Sequence, residues 1–192
     1  MKGAIKEIFS IFYDRRQMML AVFTALMYAA FLIPLKPFPL IPGITEIRVA
    51  NFVPVVFAIF FGPAAAWGAA FGNLIGDLFG TLSEGSIFGF IGNFMFAYVA
   101  YKIWHHYTMG EKITLTQRQL GVFWLAAFLA SVVCALIIAP AVSRLDYAPT
   151  TPALLLFAFI TLNNFLPSLV IGPILIKLFY ARLAKAKLIY DG

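Results

Sequence analysis

Residues 45–82 decide the fold, and they read TEIRVANFVPVVFAIFFGPAAAWGAAFGNLIGDLFGTL. Between Arg48 and Asp77 this stretch has no charged side chain, and Gly62-Pro63 divides it in two. Glycine followed by proline is a turn signal, and proline is well suited to the first turn of a helix. The stretch therefore predicts two consecutive apolar helices, over about 50–61 and about 64–82. The first of them is short for a membrane crossing.

The remainder of the chain has the same apolar character. Of its 192 residues, 62% are apolar and 11% are charged, whereas soluble domains carry about 25% charged residues. A domain of this size leaves much of its surface exposed, so it cannot hide that much apolar surface in one aqueous core. The composition therefore predicts an all-α integral membrane protein, with one membrane domain over residues 1–192.

Charge-free stretches of roughly 20 residues, the length that spans a bilayer, recur along the chain. Together with the short second helix they predict six transmembrane helices, over about 17–33, 50–61, 64–82, 86–106, 119–142 and 153–180. Residues 3–13 place Ile5, Ile8, Phe9 and Phe12 on one face, which is typical of a short amphipathic helix lying on the membrane. We expect residues 1–16 to form an interfacial segment and residues 17–182 to form the six-helix bundle.

The segment between the first two spans contains Pro34, Pro37, Pro39 and Pro42. Prolines at this density are incompatible with a helix, so an ordered loop is predicted. At its end stand Glu46, Arg48 and Asn51, whose side chains are expected either to hold the loop through a mutual ion pair or to contact a ligand.

Orientation follows from Lys and Arg, which accumulate in cytoplasmic connections. With six crossings, eleven of the 14 Lys and Arg residues fall on the side that carries both termini. The opposite side has only Lys36, Arg48 and Arg144. We therefore expect both termini in the cytoplasm. The asymmetry also accounts for the net charge of +6 without a nucleic-acid partner.

Two of the predicted helices carry small residues at intervals of four. The first contains Ala21, Ala25 and Ala29, and the third contains glycines at 68, 72, 76 and 80. Such stripes let helices approach closely in lipid. The alanines are expected either to pack within the chain or to dock a separate membrane subunit. The glycines indicate either a tight helix crossing or room for a ligand.

Several polar residues are predicted at membrane depth. Asn73 and Asp77 lie one turn apart, and a carboxylate within a membrane helix usually faces a cavity or a partner. An internal ion pair or hydrogen bond is the alternative. A small-molecule pocket typically has a few polar anchors and flat apolar walls. The amides at positions 93, 163 and 164 could supply the anchors. The walls could come from Trp67, Tyr98 and Trp124.

Motifs of catalysis are missing from the sequence. No G-x-x-x-x-G-K-[ST] phosphate loop occurs, so the chain is not expected to hydrolyse ATP, and neither H-E-x-x-H nor G-x-S-x-G is present. The single cysteine, Cys134, is expected to be a buried apolar residue. We expect no enzyme activity, no bound metal and no cofactor held by this chain.

The whole chain resembles the substrate-binding S components of energy-coupling-factor (ECF) transporters. The resemblance lies in its size, its six-helix layout, its cytoplasmic termini and the A-x-x-x-A pattern at Ala21, Ala25 and Ala29. Residues 45–82 are the most specific part, and they are similar to the queuosine-precursor branch of that family. That branch often carries a second Glu shortly after the Arg, whereas Val49, Ala50 and Asn51 follow Arg48 here. S components that resemble this branch also carry cobalamin.

This resemblance implies a prokaryotic, multi-pass plasma membrane subunit that captures cobalamin or a queuosine-type 7-deazapurine precursor outside the cell. It implies docking through Ala21, Ala25 and Ala29 on a transmembrane T component, with two ATPase subunits supplying the work. The implied ligand contacts are Glu46, Arg48, Asn51, Trp67, Asn73, Asp77, Glu84, Asn93, Tyr98 and Asn163. The residues also leave open a self-sufficient transporter or channel in which Asp77 relays protons, and a membrane scaffold without a small ligand.

Overall fold

The computed structural model describes residues 2–35, 39–41, 45–46, 48–79, 82–147 and 150–190. These residues form seven α-helices. Their bounds are Lys2–Ser10 (α1), Arg15–Leu32 (α2), Phe52–Phe61 (α3), Pro63–Leu78 (α4), Gly85–Thr108 (α5), Gln117–Arg144 (α6) and Ala153–Lys185 (α7). An antiparallel strand pair, Pro39–Ile41 (β1) and Thr45–Glu46 (β2), interrupts the helices. The all-α fold class is confirmed, and the strand pair is a short local feature of the proline-rich segment, where an ordered loop was predicted.

Local sequence signals set the helix boundaries. The Asp14 side chain accepts hydrogen bonds from the backbone N–H of Arg16 at 2.8 Å and of Gln17 at 3.4 Å, which is the usual role of aspartate before a helix. Between α3 and α4, Gly62 has a φ of 55°, and a Cβ there would lie 2.6 Å from the Tyr190 ring. Glycine is therefore required at position 62 both by the backbone angle and by the close approach of a side chain.

Helix α3 lies in the middle of the bundle. Nine of its ten residues are buried, and it packs against α2, α4, α5 and α7. A helix of ten residues is too short to span hydrocarbon alone. Its surroundings explain how it is accommodated, because the apolar side chains of α3 contact protein on nearly every side.

The small residues of α2 and α4 face each other. A Cβ on Gly68 would lie 2.6 Å from the carbonyl oxygen of Ala21, and one on Gly72 would lie 2.8 Å from that of Ala25. The three alanines of α2 are between 4% and 7% exposed. The described glycines of α4 thus serve a tight helix crossing, while Gly80 lies outside the described residues. The alanines pack inside the chain, and their docking role stays a prediction.

Three of the described helices are long and apolar enough to cross a membrane. They are α5, α6 and α7, with mean hydropathies of 1.3, 2.7 and 2.0. The stretch Val49–Phe61 is a shorter apolar segment. The helical membrane fold is confirmed at this level, whereas the count of six crossings and the side on which the termini lie stay predictions.

Helix α1 is fixed to the bundle by polar contacts. Glu7 accepts hydrogen bonds from the Tyr101 hydroxyl and from Lys102 Nζ, the latter at 2.9 Å. The indole N–H of Trp67 donates to the carbonyl oxygen of Ile8 at 2.9 Å. Ile5, at 55% exposure, is one of several apolar side chains that remain open on this helix. That open apolar surface is the part available to lipid.

Candidate ligand site

A cluster of polar side chains lies inside the otherwise apolar bundle. Its members come from five parts of the chain: α2, the turn before α3, α4, α5 and α7. They are Tyr28, Arg48, Asn51, Asn73, Asp77, Asn93, Asn163, Asn164 and Ser168. Buried polar groups are costly unless they are hydrogen-bonded, so the contacts among these side chains decide whether the bundle tolerates them.

One line of contacts joins the chain before α3 to α4. Arg48 Nη1 donates to Asn73 Oδ1 at 2.8 Å, and Asn73 Nδ2 donates to Asp77 Oδ2 at 3.0 Å. Asn73 and Asp77 lie on the same face of α4 because they are one helical turn apart. The Asn73 amide thus bridges a guanidinium and a carboxylate, and it is 1% exposed.

Helix α5 leaves room for this amide at Gly89. A Cβ on Gly89 would lie 2.8 Å from Asn73 Nδ2, which is too close for any larger residue without movement of the neighbour. One turn later, Asn93 Nδ2 donates to the Gly89 carbonyl oxygen at 2.8 Å. Glycine at this position therefore lets α4 and α5 bring two amides close together.

A second line of contacts connects α2, the turn before α3, and α7. The Tyr28 hydroxyl lies 2.6 Å from Asn51 Oδ1 and 2.9 Å from Asn93 Oδ1. Asn51 Nδ2 donates to Asn164 Oδ1 at 2.5 Å, and Ser168 Oγ donates to the Asn51 carbonyl oxygen at 3.2 Å. A hydroxyl has one proton to donate, so Tyr28 shares it between two acceptors. Asn51 is the centre of this second line.

A cavity of about 50 Å³ adjoins both lines of contacts. Its walls come from Arg48 and from α5, α6 and α7. The lining residues are Arg48, Asn93, Cys134, Ile138, Val142, Ile160, Asn163 and Asn164. The backbone N–H of Arg48 donates to Asn163 Oδ1 at 3.1 Å. Ligand pockets usually measure about 300–1,000 Å³, so a heterocycle would bind here only if the walls separate and the amides exchange their mutual hydrogen bonds for bonds to the ligand.

The structure brings together six of the ten ligand contacts expected from the sequence, namely Arg48, Asn51, Asn73, Asp77, Asn93 and Asn163. It places three others elsewhere. Trp67 packs beneath α1, 5.1 Å from the Phe12 ring, and Tyr98 donates to Glu7 Oε2 at 3.3 Å. Glu84 is exposed just before α5. Glu46 belongs to β2, but its side chain lies outside the described residues.

Two polar residues of the cluster, Tyr28 and Ser168, were not expected at a ligand site, and neither were the cavity-lining residues Cys134, Ile138, Val142 and Ile160. Asn164 was an expected polar anchor but not one of the ten expected contacts. Tyr28 had a detectable signal, because it follows Ala25 by one turn and so shares the small-residue face of α2. Asn164 stands next to Asn163, yet adjacent helical positions point about 100° apart. Only the packing of α7 shows that both amides reach the cluster.

The chemistry of this cluster suits a flat polar molecule. Amide groups both donate and accept hydrogen bonds, Arg48 donates only, and an ionised Asp77 accepts only. The described residues contain no group of three or more His, Cys, Asp or Glu side chains that could hold a metal ion. The arrangement can therefore read the edge of a heterocycle through its donors and acceptors.

Comparison with known proteins gives one match. A family model described as "QueT transporter" matches residues 18–181. No curated protein and no solved structure matches the chain. The matched residues extend from α2 into α7, so they include every member of the polar cluster. This is a membrane transport protein, and the chain belongs to the QueT transporter family.

Proposed function

We propose that this protein is the substrate-capturing S component of an ECF-type uptake transporter. In this proposal it is a multi-pass protein of a prokaryotic plasma membrane with both termini in the cytoplasm. It binds its ligand outside and delivers it inward when docked on an ATP-driven module. Membership of a transporter family supports the transport role. The single observation that carries ligand capture is the buried cluster around Arg48, Asn51 and Asn73.

The ligand we propose is a queuosine-type 7-deazapurine precursor. A 7-deazaguanine ring presents a carbonyl acceptor and adjacent N–H donors along one edge. Asn73 and Asn163 can pair with both kinds of group, and Asp77 can accept from N–H groups. Cobalamin is the second candidate, but a corrin ring is far larger than the 50 Å³ between these walls. The smaller, flat ligand requires less rearrangement of α6 and α7.

Energy for uptake is proposed to come from partners. The sequence has no phosphate-binding loop for ATP, so a transmembrane T component and two ATPase subunits would supply the work. Docking is proposed to use α2. Since Ala21, Ala25 and Ala29 pack against α4 in this structure, a partner that meets the bundle as it stands would contact an exposed face of α2 beside the alanines. There Val22 and Leu26 are 55% and 58% exposed.

Calorimetric titration of the purified chain tests the proposal directly. The panel contains 7-deazaguanine derivatives, cobalamin and cobinamide, added to protein shown to be folded by its thermal transition. Saturable binding of a 7-deazaguanine derivative, with no heat from the two corrinoids, is the expected result. No binding across the panel would contradict the capture role and favour a scaffold without a small ligand.

A liposome assay separates the proposal from a self-sufficient transporter. An S component reconstituted alone should accumulate no ligand, and accumulation should appear when the T component and both ATPases are added with ATP. Transport by the chain alone would favour a secondary transporter in which Asp77 relays protons. The Asp77→Asn variant would then lose transport, because an amide, unlike a carboxylate, cannot take up and release the proton.

A further inference from the structure

A second cavity, of about 410 Å³, lies where the start of α2 meets the ends of α5 and α7. We call it the basic-end cavity. It is lined by Arg16, Ile59, Tyr101, Trp104, His105, Thr108, Gly110–Ile113, Tyr180, Ala184, Lys187, Ile189 and Tyr190. It shares no lining residue with the cavity beside the polar cluster. The proposed capture of a ligand does not use this cavity.

The walls of the basic-end cavity carry excess positive charge. Arg16, Lys112 and Lys187 line it, and within the described part of the chain none of the three forms an ion pair. Its one lining carboxylate, Glu111, lies 2.6 Å from Arg118 Nη2 and is thereby neutralised. The three side chains are exposed, and an anion between them would lower their mutual repulsion.

The fold holds the backbone around Lys187 in place. The backbone N–H of Tyr190 donates to the Phe60 carbonyl oxygen at 2.7 Å, and its ring packs edge-on against Tyr101 with centroids 5.5 Å apart. The backbone N–H of Leu188 donates to the Leu183 carbonyl oxygen at 2.9 Å. Residues 186–190 therefore fold back over the bundle, and Lys187 belongs to a formed wall.

Aromatic and apolar groups complete the walls. Trp104 and Tyr180 line the cavity near the last turns of α5 and α7, and Trp and Tyr concentrate at the headgroup level of membranes. Ile59 and Ile113 add apolar surface. Cations, aromatic rings and aliphatic side chains therefore meet in this cavity at the ends of membrane helices. Such a cavity suits a molecule that is anionic at one end and apolar at the other.

We propose that the basic-end cavity binds a phosphate group, supplied by the headgroup of an anionic phospholipid. Lysine ammonium groups bind phosphate as point charges, and an arginine adds a planar set of donors. Basic pockets between membrane helices attract anionic headgroups because surface charge and hydrogen bonding act together there. Bound lipid would connect α2, the α5–α6 connection and the end of α7, and so would stabilise this end of the bundle.

The test measures the thermal midpoint of the detergent-purified protein during titration with phosphatidylglycerol, with phosphatidylcholine, or with inorganic phosphate in the absence of added lipid. The site variant is Lys112→Gln with Lys187→Gln. The control variant is Arg182→Gln with Lys185→Gln, which removes the same amount of charge from the end of α7, at residues that do not line the cavity. Midpoints without lipid establish that both variants fold.

We expect phosphatidylglycerol, and not phosphatidylcholine, to raise the midpoint of the wild-type protein saturably. Each lysine removed should weaken apparent affinity about fivefold, so the site variant should lose about 25-fold, while the control keeps its affinity. An equal effect of inorganic phosphate, lost in the site variant, would assign the anion to a soluble source. Equal losses in both variants, or no selective effect in the wild-type protein, would overturn the proposal.

Discussion

Arg48 Nη1 donates to Asn73 Oδ1 at 2.8 Å, and this contact joins residues 25 positions apart in the chain. It connects the turn that begins α3 to the middle of α4. The same amide donates to Asp77, so Asn73 links Arg48 to Asp77 inside the apolar bundle. A ligand that enters the cluster meets these three side chains as one preassembled unit.

The Asn73→Ala variant tests that unit. The substitution removes the amide that bridges Arg48 and Asp77, so both charged groups lose a fixed partner. We expect affinity for a 7-deazaguanine derivative to fall by at least about tenfold, the equivalent of one lost hydrogen bond to a charged group. Calorimetric titration measures the change. The Ser131→Ala variant is the control, because Ser131 is buried and its hydroxyl donates to the Ala127 carbonyl oxygen of its own helix, away from the polar cluster.

Affinity unchanged in Asn73→Ala would remove Asn73 from the ligand contacts. Equal losses in Asn73→Ala and Ser131→Ala would point to a general effect on folding. Thermal midpoints of both variants, taken under the same conditions, complete the comparison.

The Tyr28→Phe variant tests the second line of contacts. It deletes the hydroxyl that lies near Asn51 Oδ1 and Asn93 Oδ1 and leaves the packing volume nearly unchanged. Since Tyr28 is fully buried, water does not replace the lost contact. We expect a loss of about 1 kcal/mol in the free energy of unfolding. The Tyr107→Phe variant, at a position 52% exposed, should change it little, and equal losses in the two variants would contradict the assignment.

The Gly68→Ala variant tests the crossing of α2 and α4. The added methyl would lie 2.4 Å from Thr24 Cβ and 2.6 Å from the Ala21 carbonyl oxygen, so the helices must separate. We expect the thermal midpoint to fall. The matched variant is Gly121→Ala in α6, where no atom of the described residues beyond the glycine's own stretch of helix lies within 4 Å of the new Cβ. There the gain in helix propensity of up to about 1 kcal/mol should raise the midpoint. A stabilising Gly68→Ala would disprove the tight crossing.

Glu7 makes the attachment of α1 dependent on pH. Partial burial acts to raise the pKa of Glu7, but hydrogen bonds from Tyr101 and Lys102 outweigh it and hold the pKa below its ordinary value of 4.5. The carboxylate therefore contributes stability that is present above about pH 4.5 and is lost as the pH falls through the lowered pKa. Below that range we expect α1 to detach from α5.

Trp67 fluorescence reports this detachment, because the indole N–H bonds to Ile8 in α1. The signal should change on acidification in the wild-type protein. In Glu7→Gln the change should be absent below about pH 4.5, where the wild-type Glu7 carboxylate takes up its proton at its lowered pKa. The Glu111→Gln variant should behave as the wild type does, since Glu111 pairs with Arg118 on the surface. A transition that persists in Glu7→Gln would exclude Glu7 as its cause.

The sequence was sufficient for features that depend on local chemistry. Gly62-Pro63 predicted the break between α3 and α4, and the spacing of Asn73 and Asp77 predicted a shared helix face. Features that depend on how helices are rotated against each other were harder to assign. Trp67 lies about 120° around α4 from Asn73 at 3.6 residues per turn, which is why it faces α1 instead of the polar cluster.

Other features required the folded chain. Arg48 and Asn163 are 115 positions apart, so their contact depends on how α3 and α7 pack and leaves no periodic signal in the sequence. The short strands β1 and β2 were missed because dense prolines argued only against a helix. Proline is tolerated as the first residue of a strand, and Pro39 occupies that position in β1.

Docking on a T component is best tested from the exposed face of α2. Replacing Ala25 by a larger residue would disturb the contact with Gly72 inside the chain, so an effect on folding could not be separated from an effect on docking.

Leu26 is 58% exposed, and Leu26→Trp adds bulk without opening the bundle. We expect ligand affinity to stay unchanged, and recovery of the T component and ATPases in co-purification to fall at least about tenfold, as for a bulky residue at the centre of an interface. Leu136→Trp, at an equally exposed position on α6, is the control for bulk alone. Normal complex formation by Leu26→Trp would place the docking surface on another helix.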